Sequence, residues 1–147
     1  MRKAFLLALG TLFVFGIKSC GEPYGEAQDV VEEFMEEVRD REGASAIRFL
    51  HPSYRDSLTK DLSLPIQFTE MRPSEVLACL LSAMGSGINS VEVKSGKLVG
   101  SNTALIKVKV EDDRELEKLF TFVLIKEGDG WKIADISPYK PQTTDEE

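Results

Sequence analysis

Three runs near the C-terminal end decide the fold: TALIKVKVED (residues 103–112), KLFTFVLIKE (118–127) and WKIADI (131–136). Ala104, Ile106, Val108 and Val110 fall on alternate positions of the first run, the period of a strand with one buried face. Residues 119–125 are apolar on both faces, the pattern of a strand covered from two sides. EGDG at 127–130 is a strong turn signal leading into Trp131. Upstream, Val91 and Val93 alternate with Glu92 and Lys94, so residues 88–99 add one or two strands, and GSN at 100–102 supplies the turn. An antiparallel meander of about four strands must bury its apolar face, and only the helices before it are available. The expected class is α+β, with N-terminal helices packed on a strongly curved antiparallel sheet.

Those helices are legible in turn. Ala27, Val30, Val31, Phe34, Met35 and Val38 form one stripe at helical spacing across residues 26–42. Arg39 and Arg41 sit near its end, and Gly43 occupies the place of a left-handed cap. The Glu32, Glu33, Glu36 and Glu37 run reads as the solvated face of this helix. Residues 44–50 form a second short helix ended by His51-Pro52, and residues 53–58 restart as a helical turn. Residues 62–72 are irregular and half apolar, suited to a lid over a cavity. Residues 73–84 form a third helix starting at Pro73 or Ser74, with Gly85 after its end. Val76, Leu77, Leu80 and Leu81 make that helix mostly apolar, so it is expected to be well buried, with Cys79 as a small core residue.

Residues 1–20 have the three parts of a secretion signal: Arg2 and Lys3, an almost unbroken apolar run over 4–17, and a closing Ile17-Lys18-Ser19-Cys20. As a helix the run reaches about 21 Å, short of the ~30 Å hydrocarbon core, which favours a cleaved signal over a permanent span. Its end resembles the lipobox of bacterial lipoproteins in Ile17, Ser19 and Cys20, and departs from it at Lys18. The resemblance implies cleavage between Ser19 and Cys20 and a diacylglycerol on the Cys20 sulfur. Two rival readings stay open: ordinary cleavage before Glu22 releasing a soluble protein, and a Cys20–Cys79 disulfide. Residues 20–25 would be the lipidated N-terminus and a short tether, 26–137 the domain, and 138–147 a mobile acidic tail.

The chain has 147 residues, enough for one domain, and a formal charge of −7. Removing residues 1–19 takes away three basic groups and no acid, leaving 15 basic against 25 acidic residues, a formal −10. That balance repels phosphate backbones and excludes nucleic acid as a natural partner. No phosphate-binding glycine loop, metal-spaced histidine or cysteine pair, calcium loop or nucleophile elbow is present, so no cofactor or metal is expected. Asp112, Asp113 and Glu115 read as capping a strand connection. His51, Tyr54 and Asp56 are the one grouping in the middle of the chain suited to acid–base work. A plainer account has His51 ending a helix, Tyr54 packing its ring with the hydroxyl at an edge, and Asp56 solvated.

The order of helices then meander, with the closing GDGWKIADIS (residues 128–137) and the phrase RFLHPSYRDSL (48–58), is similar to the nuclear transport factor 2-like (NTF2-like) superfamily. Within it the chain resembles small bacterial lipoproteins of the DUF4878 type. The resemblance implies a cone-shaped fold whose open end forms a pocket, here lined by Phe34, Phe49, Phe120 or Phe122, and Trp131. Enzymes of that superfamily place acids with a tyrosine or histidine inside the cone. The matching candidates here are His51, Tyr54 and Asp135, the last placed by alternation on the face of Trp131 and Ile133. The expected function is a non-enzymatic cell-envelope lipoprotein, held to the membrane through Cys20 and binding an envelope protein or an apolar small molecule. The alternatives are a ketosteroid-isomerase or dehydratase type of enzyme, and a secreted soluble binding protein.

Overall fold

A computed structural model describes residues 23–60, 70–128 and 130–139. The signal segment, Cys20, residues 62–69 of the 62–72 stretch read as a lid, and the tail from 140 lie outside the described residues. Among the described residues, four α-helices precede the sheet: α1 (Gly25–Arg39), α2 (Gly43–Ala46), α3 (Pro52–Lys60) and α4 (Pro73–Gly85), with a 3-10 turn at Ile47–Phe49. Four strands follow: β1 (Ile88–Leu98), β2 (Thr103–Asp112), β3 (Glu117–Glu127) and β4 (Gly130–Pro138). They form one open antiparallel sheet in sequence order. The class is α+β as expected. The region 88–99 is a single strand, with register shifts between Ile88 and Ser90 and between Val93 and Ser95.

The core lies between α1, α4 and one face of the sheet. Ala27, Val31, Phe34, Met35 and Val38 of α1 are buried against Ala104, Ile106, Val108, Phe122, Leu124, Trp131 and Ile133. Burial of this apolar area is the main stabilising term. On the other face Leu105, Leu119, Val123 and Ile125 stay half-buried and lie outside the core cluster. Residues 119–125 are therefore fully covered on one side only, a correction to the two-sided reading.

Glycine placement also differs from expectation. α1 ends at Arg39, and the left-handed residue after it is Arg41 (φ 65°), not Gly43. The Glu42 amide donates to the Glu37 carbonyl and the Arg41 amide to the Val38 carbonyl, the two bonds of a Schellman cap. Gly43 instead begins α2, where a Cβ would stand 1.8 Å from the Ala78 carbonyl oxygen of α4. The Gly43 amide donates to Ser82 Oγ at 2.9 Å in the same contact. Gly85 ends α4 for a like reason, since its Cβ would meet the Val38 carbonyl oxygen at 1.8 Å. Both glycines let helix backbones touch.

α4 is less buried than its composition suggests. Glu75 accepts from the Arg72 amide at 2.8 Å and caps the start, and Val76, Leu77 and Leu81 face the core. Leu80 and Met84 are exposed, and so is Cys79, which corrects its placement as a core residue. A helix packed on one side buries one stripe, and the remaining apolar residues face outward whatever their hydropathy.

Candidate functional site

Along α1 the side chains grow from Ala27 through Val31 to Phe34 and Met35. At the N-terminal end, small residues let helix and sheet meet closely. The Tyr24 ring lies on β1 at Gly96, where a Cβ would stand 2.5 Å from the ring. Toward the C-terminal end, Phe34 meets Phe122 edge-to-face with centroids 6.2 Å apart, and the layers separate. The gap is a hollow of about 360 Å³, within the usual range for small-molecule sites (about 300–1,000 Å³).

Phe34 and Phe122 make its floor and are themselves buried; Leu81, Val110, Phe120 and Ile136 make its walls. Its mouth lies where α4 ends and β2 turns into β3, between Met84 (62% exposed) and Leu116 (53% exposed). Met84 and Leu116 thus stand as exposed apolar side chains at the rim of a concave, mostly apolar hollow. Two charged residues, Asp112 and Lys118, complete the lining.

Asp112 is occupied by its own turn. Its Oδ1 accepts from the Arg114 and Leu116 amides, each at 2.9 Å, and its Oδ2 takes the Arg114 guanidinium at 3.3 Å. The Leu116 amide is the main cause holding its carboxyl below the ordinary aspartate range, with Arg114 adding to it. The acid therefore caps the strand connection as the sequence suggested.

Of the five aromatics expected at a pocket, Phe34, Phe120 and Phe122 border the hollow. Phe49 and Trp131 do not. Phe49 packs in the core under the Arg48 guanidinium (4.8 Å from its ring centroid), and Trp131 is buried near the other end of the sheet with Lys126 5.9 Å from its centroid. The residues missed were the aliphatic walls and the mouth, whose apolar character is common to any core and gives no separate signal in sequence.

The polar candidates do not converge. His51 Nδ1 accepts from the Ser53 amide at 3.2 Å and pairs with Ser53 Oγ at 2.7 Å, while Nε2 pairs with Glu127 at 2.9 Å. An Nδ1 that accepts an amide places the proton on Nε2, facing Glu127. The imidazole thereby caps α3 and ties it to the end of β3. Ser53, His51 and Glu127 have the chemistry of a nucleophile, a base and an orienting acid, but they do not line the hollow. The His51 nitrogen facing Ser53 is already engaged by the amide of the same residue. Tyr54 is half-buried, and its hydroxyl accepts from the Ile136 amide at 3.2 Å. Burial raises its pKa, against the lowering effect of that bond.

Asp135 is exposed, opposite to its expected placement on the Trp131 face. β3 pairs Leu124 with Ile133 but Val123 with Asp135, so Ala134 is an extra residue. That bulge shifts the alternation by one, turns Asp135 outward and brings Ile136 onto the core. Asp56 is exposed, with its carboxylate 3.6 Å from Arg55. Among the described residues, no group of three or more His, Cys, Asp or Glu is placed to hold a metal, and no helix is long and apolar enough to cross a membrane.

Residues 18–134 match the family described as "Domain of unknown function (DUF4878)". A protein of Aquifex aeolicus (strain VF5), described as uncharacterized, is 52% identical over 143 residues, covering 97% of this chain and 98% of its own. The crystal structure of a protein from Sphaerobacter thermophilus matches with a TM-score of 0.46 and 14% identity, over 78% of this chain and 97% of that one.

Proposed function

The chain belongs to the DUF4878 family, and we propose that this member is a cell-envelope lipoprotein whose domain binds an apolar small molecule. Residues 1–19 direct export, and Cys20, acylated after cleavage, anchors the mature chain. The domain is a cone of NTF2-like type, its open end formed by the parting of α1 and α4 from the sheet. The order of helices then meander and the bulges in β1 and β4 support that reading. The observation that carries the binding role is the hollow itself: about 360 Å³, almost wholly apolar in lining, floored by buried aromatics and open at an exposed apolar rim.

The tether is short. Tyr24 packs against the core, so Gly21 and Glu22 alone separate Cys20 from Pro23. Three Cα–Cα steps span no more than about 11 Å, which keeps the domain beside the leaflet.

Two measurements test the two halves. The N-terminal peptide of the envelope-extracted protein should carry the mass of acyl chains, and Cys20→Ser should abolish it. An unmodified thiol, with the protein released by a salt wash, contradicts the anchor. The mature chain from residue 20 with Cys20→Ser should enhance the fluorescence of N-phenylnaphthylamine at one site. Gly87→Phe should remove that signal: Gly87 lines the hollow, a Cβ there meets only the Met84 carbonyl oxygen at 3.7 Å, and its φ is not left-handed. Equal fluorescence in both chains, each folded by circular dichroism, contradicts the binding role.

A further inference from the structure

Of the two charges in the lining of the hollow, Asp112 is matched by Arg114 and by two backbone amides. Lys118 is not matched. Its side chain is exposed at the mouth, and its ammonium has no ion-pair or hydrogen-bond partner among the described residues. A lysine whose stem lies along an apolar wall with its head in water offers a cation beside an apolar cavity. The volume sits near the small end of the range for ligand sites, room for one short chain rather than a two-tailed lipid.

The position of the mouth adds the second observation. α1 leads from the tether to the hollow. Its 15 residues span about 22 Å, and Phe34, Met35 and Val38 lie in its second half. The β1–β2 and β3–β4 turns lie at the tether end, where Tyr24 meets Gly96 and the Lys126 ammonium lies 4.0 Å from Glu26. The β2–β3 turn, with Asp112 and Leu116, lies at the other end. The mouth is thus about a helix length from Tyr24, where the chain enters α1.

Resting on the binding role proposed above, we propose that the ligand is a free single-chain amphiphile with an anionic head, of the fatty-acid class. Its tail lies between Phe34, Leu81 and Phe122 and its carboxylate meets Lys118. It enters from water at the end of the domain away from the anchor. The overall negative charge opposes its approach at long range, but beyond about 8 Å at physiological ionic strength that field is largely screened.

The test titrates decanoate, decanol and decylamine into the mature chain with Cys20→Ser, and into the same chain with Lys118→Gln or Lys118→Arg. Decanoate affinity should fall about two- to fivefold in Lys118→Gln, the range of an exposed ion pair, and recover in Lys118→Arg. Decanol affinity should be the same in all three. Equal decanoate affinity in all three overturns the role of Lys118 and leaves the hollow as a neutral apolar site. Preference for decylamine overturns it in favour of Asp112. Failure of all three probes to displace N-phenylnaphthylamine instead overturns the binding role itself. Co-sedimentation with phosphatidylglycerol vesicles that Lys118→Gln abolishes would assign the cation to a bilayer surface and overturn the free-ligand source.

Discussion

The two ends of this domain are built from the same helix and the same sheet, yet one is closed and the other open. At the tether end Ala27 and Ala104 have no accessible surface, Gly96 admits the Tyr24 ring, and Leu124 and Ile133 are fully buried. At the far end Val110, Phe120 and Ile136 are half-buried, and Leu116 and Met84 stand largely in solvent. Side-chain size explains the difference. Small residues let α1 settle on the sheet, while Phe34 and Met35 hold it away. A wedge graded from alanine to phenylalanine opens a hollow without any break in secondary structure. The same device bears on the proposed role: the closed end supplies stability beside the anchor, and the open end is free to exchange a ligand.

The contrast makes unequal demands on substitutions. Leu124→Ala, at a site with no exposed surface, should cost about 3–4 kcal/mol in urea unfolding, and Ile136→Ala beside the hollow about 1–2. Equal losses would remove the distinction between the ends. Gly43→Ala should cost up to about 3 kcal/mol, because the methyl has no room against the Ala78 carbonyl. Arg41→Gly should act in the opposite direction, raising stability by roughly 1 kcal/mol as the left-handed position is relieved of its Cβ.

A smaller effect concerns acid. The folded-state pKa of Asp112 is depressed, so its contribution is present above the ordinary aspartate range and is lost as pH falls through the folded value. Tm measured from pH 7 downward should therefore decline less steeply in Asp112→Asn than in the parent chain. Parallel profiles would show that the turn at the mouth is held by something else. The smallest effect belongs to the rim. Met84→Ser should change stability by less than about 0.5 kcal/mol while weakening N-phenylnaphthylamine binding, since the residue is exposed and lines the site.

Periodicity carried the fold: the stripe on α1, the alternation in β2 and the turn residues Gly100 and Gly128, both left-handed, are where the sequence places them. What it did not disclose was register. One extra residue, Ala134, reverses the faces of Asp135 and Ile136, and no local pattern announces a bulge. Glycine is ambiguous for a similar reason. Gly43 reads as a cap from its position after the helix, whereas the constraint on it comes from Ala78, thirty-five residues away. The site was half legible. Phe34, Phe120 and Phe122 stand out as aromatics, but nothing in sequence separates them from Phe49 and Trp131, because the hollow arises from how far apart two layers stand.

Methyl and aromatic NMR of the mature Cys20→Ser chain, titrated with decanoate, tests the two-ended account most directly. Contacts between ligand and protein should appear at Leu81, Met84, Ile88 and Phe122, with the resonances of Ala27, Ala104 and Ile133 unmoved. Contacts centred on the tether end, or on Leu105, Val123 and Ile125 of the outer sheet face, would contradict it.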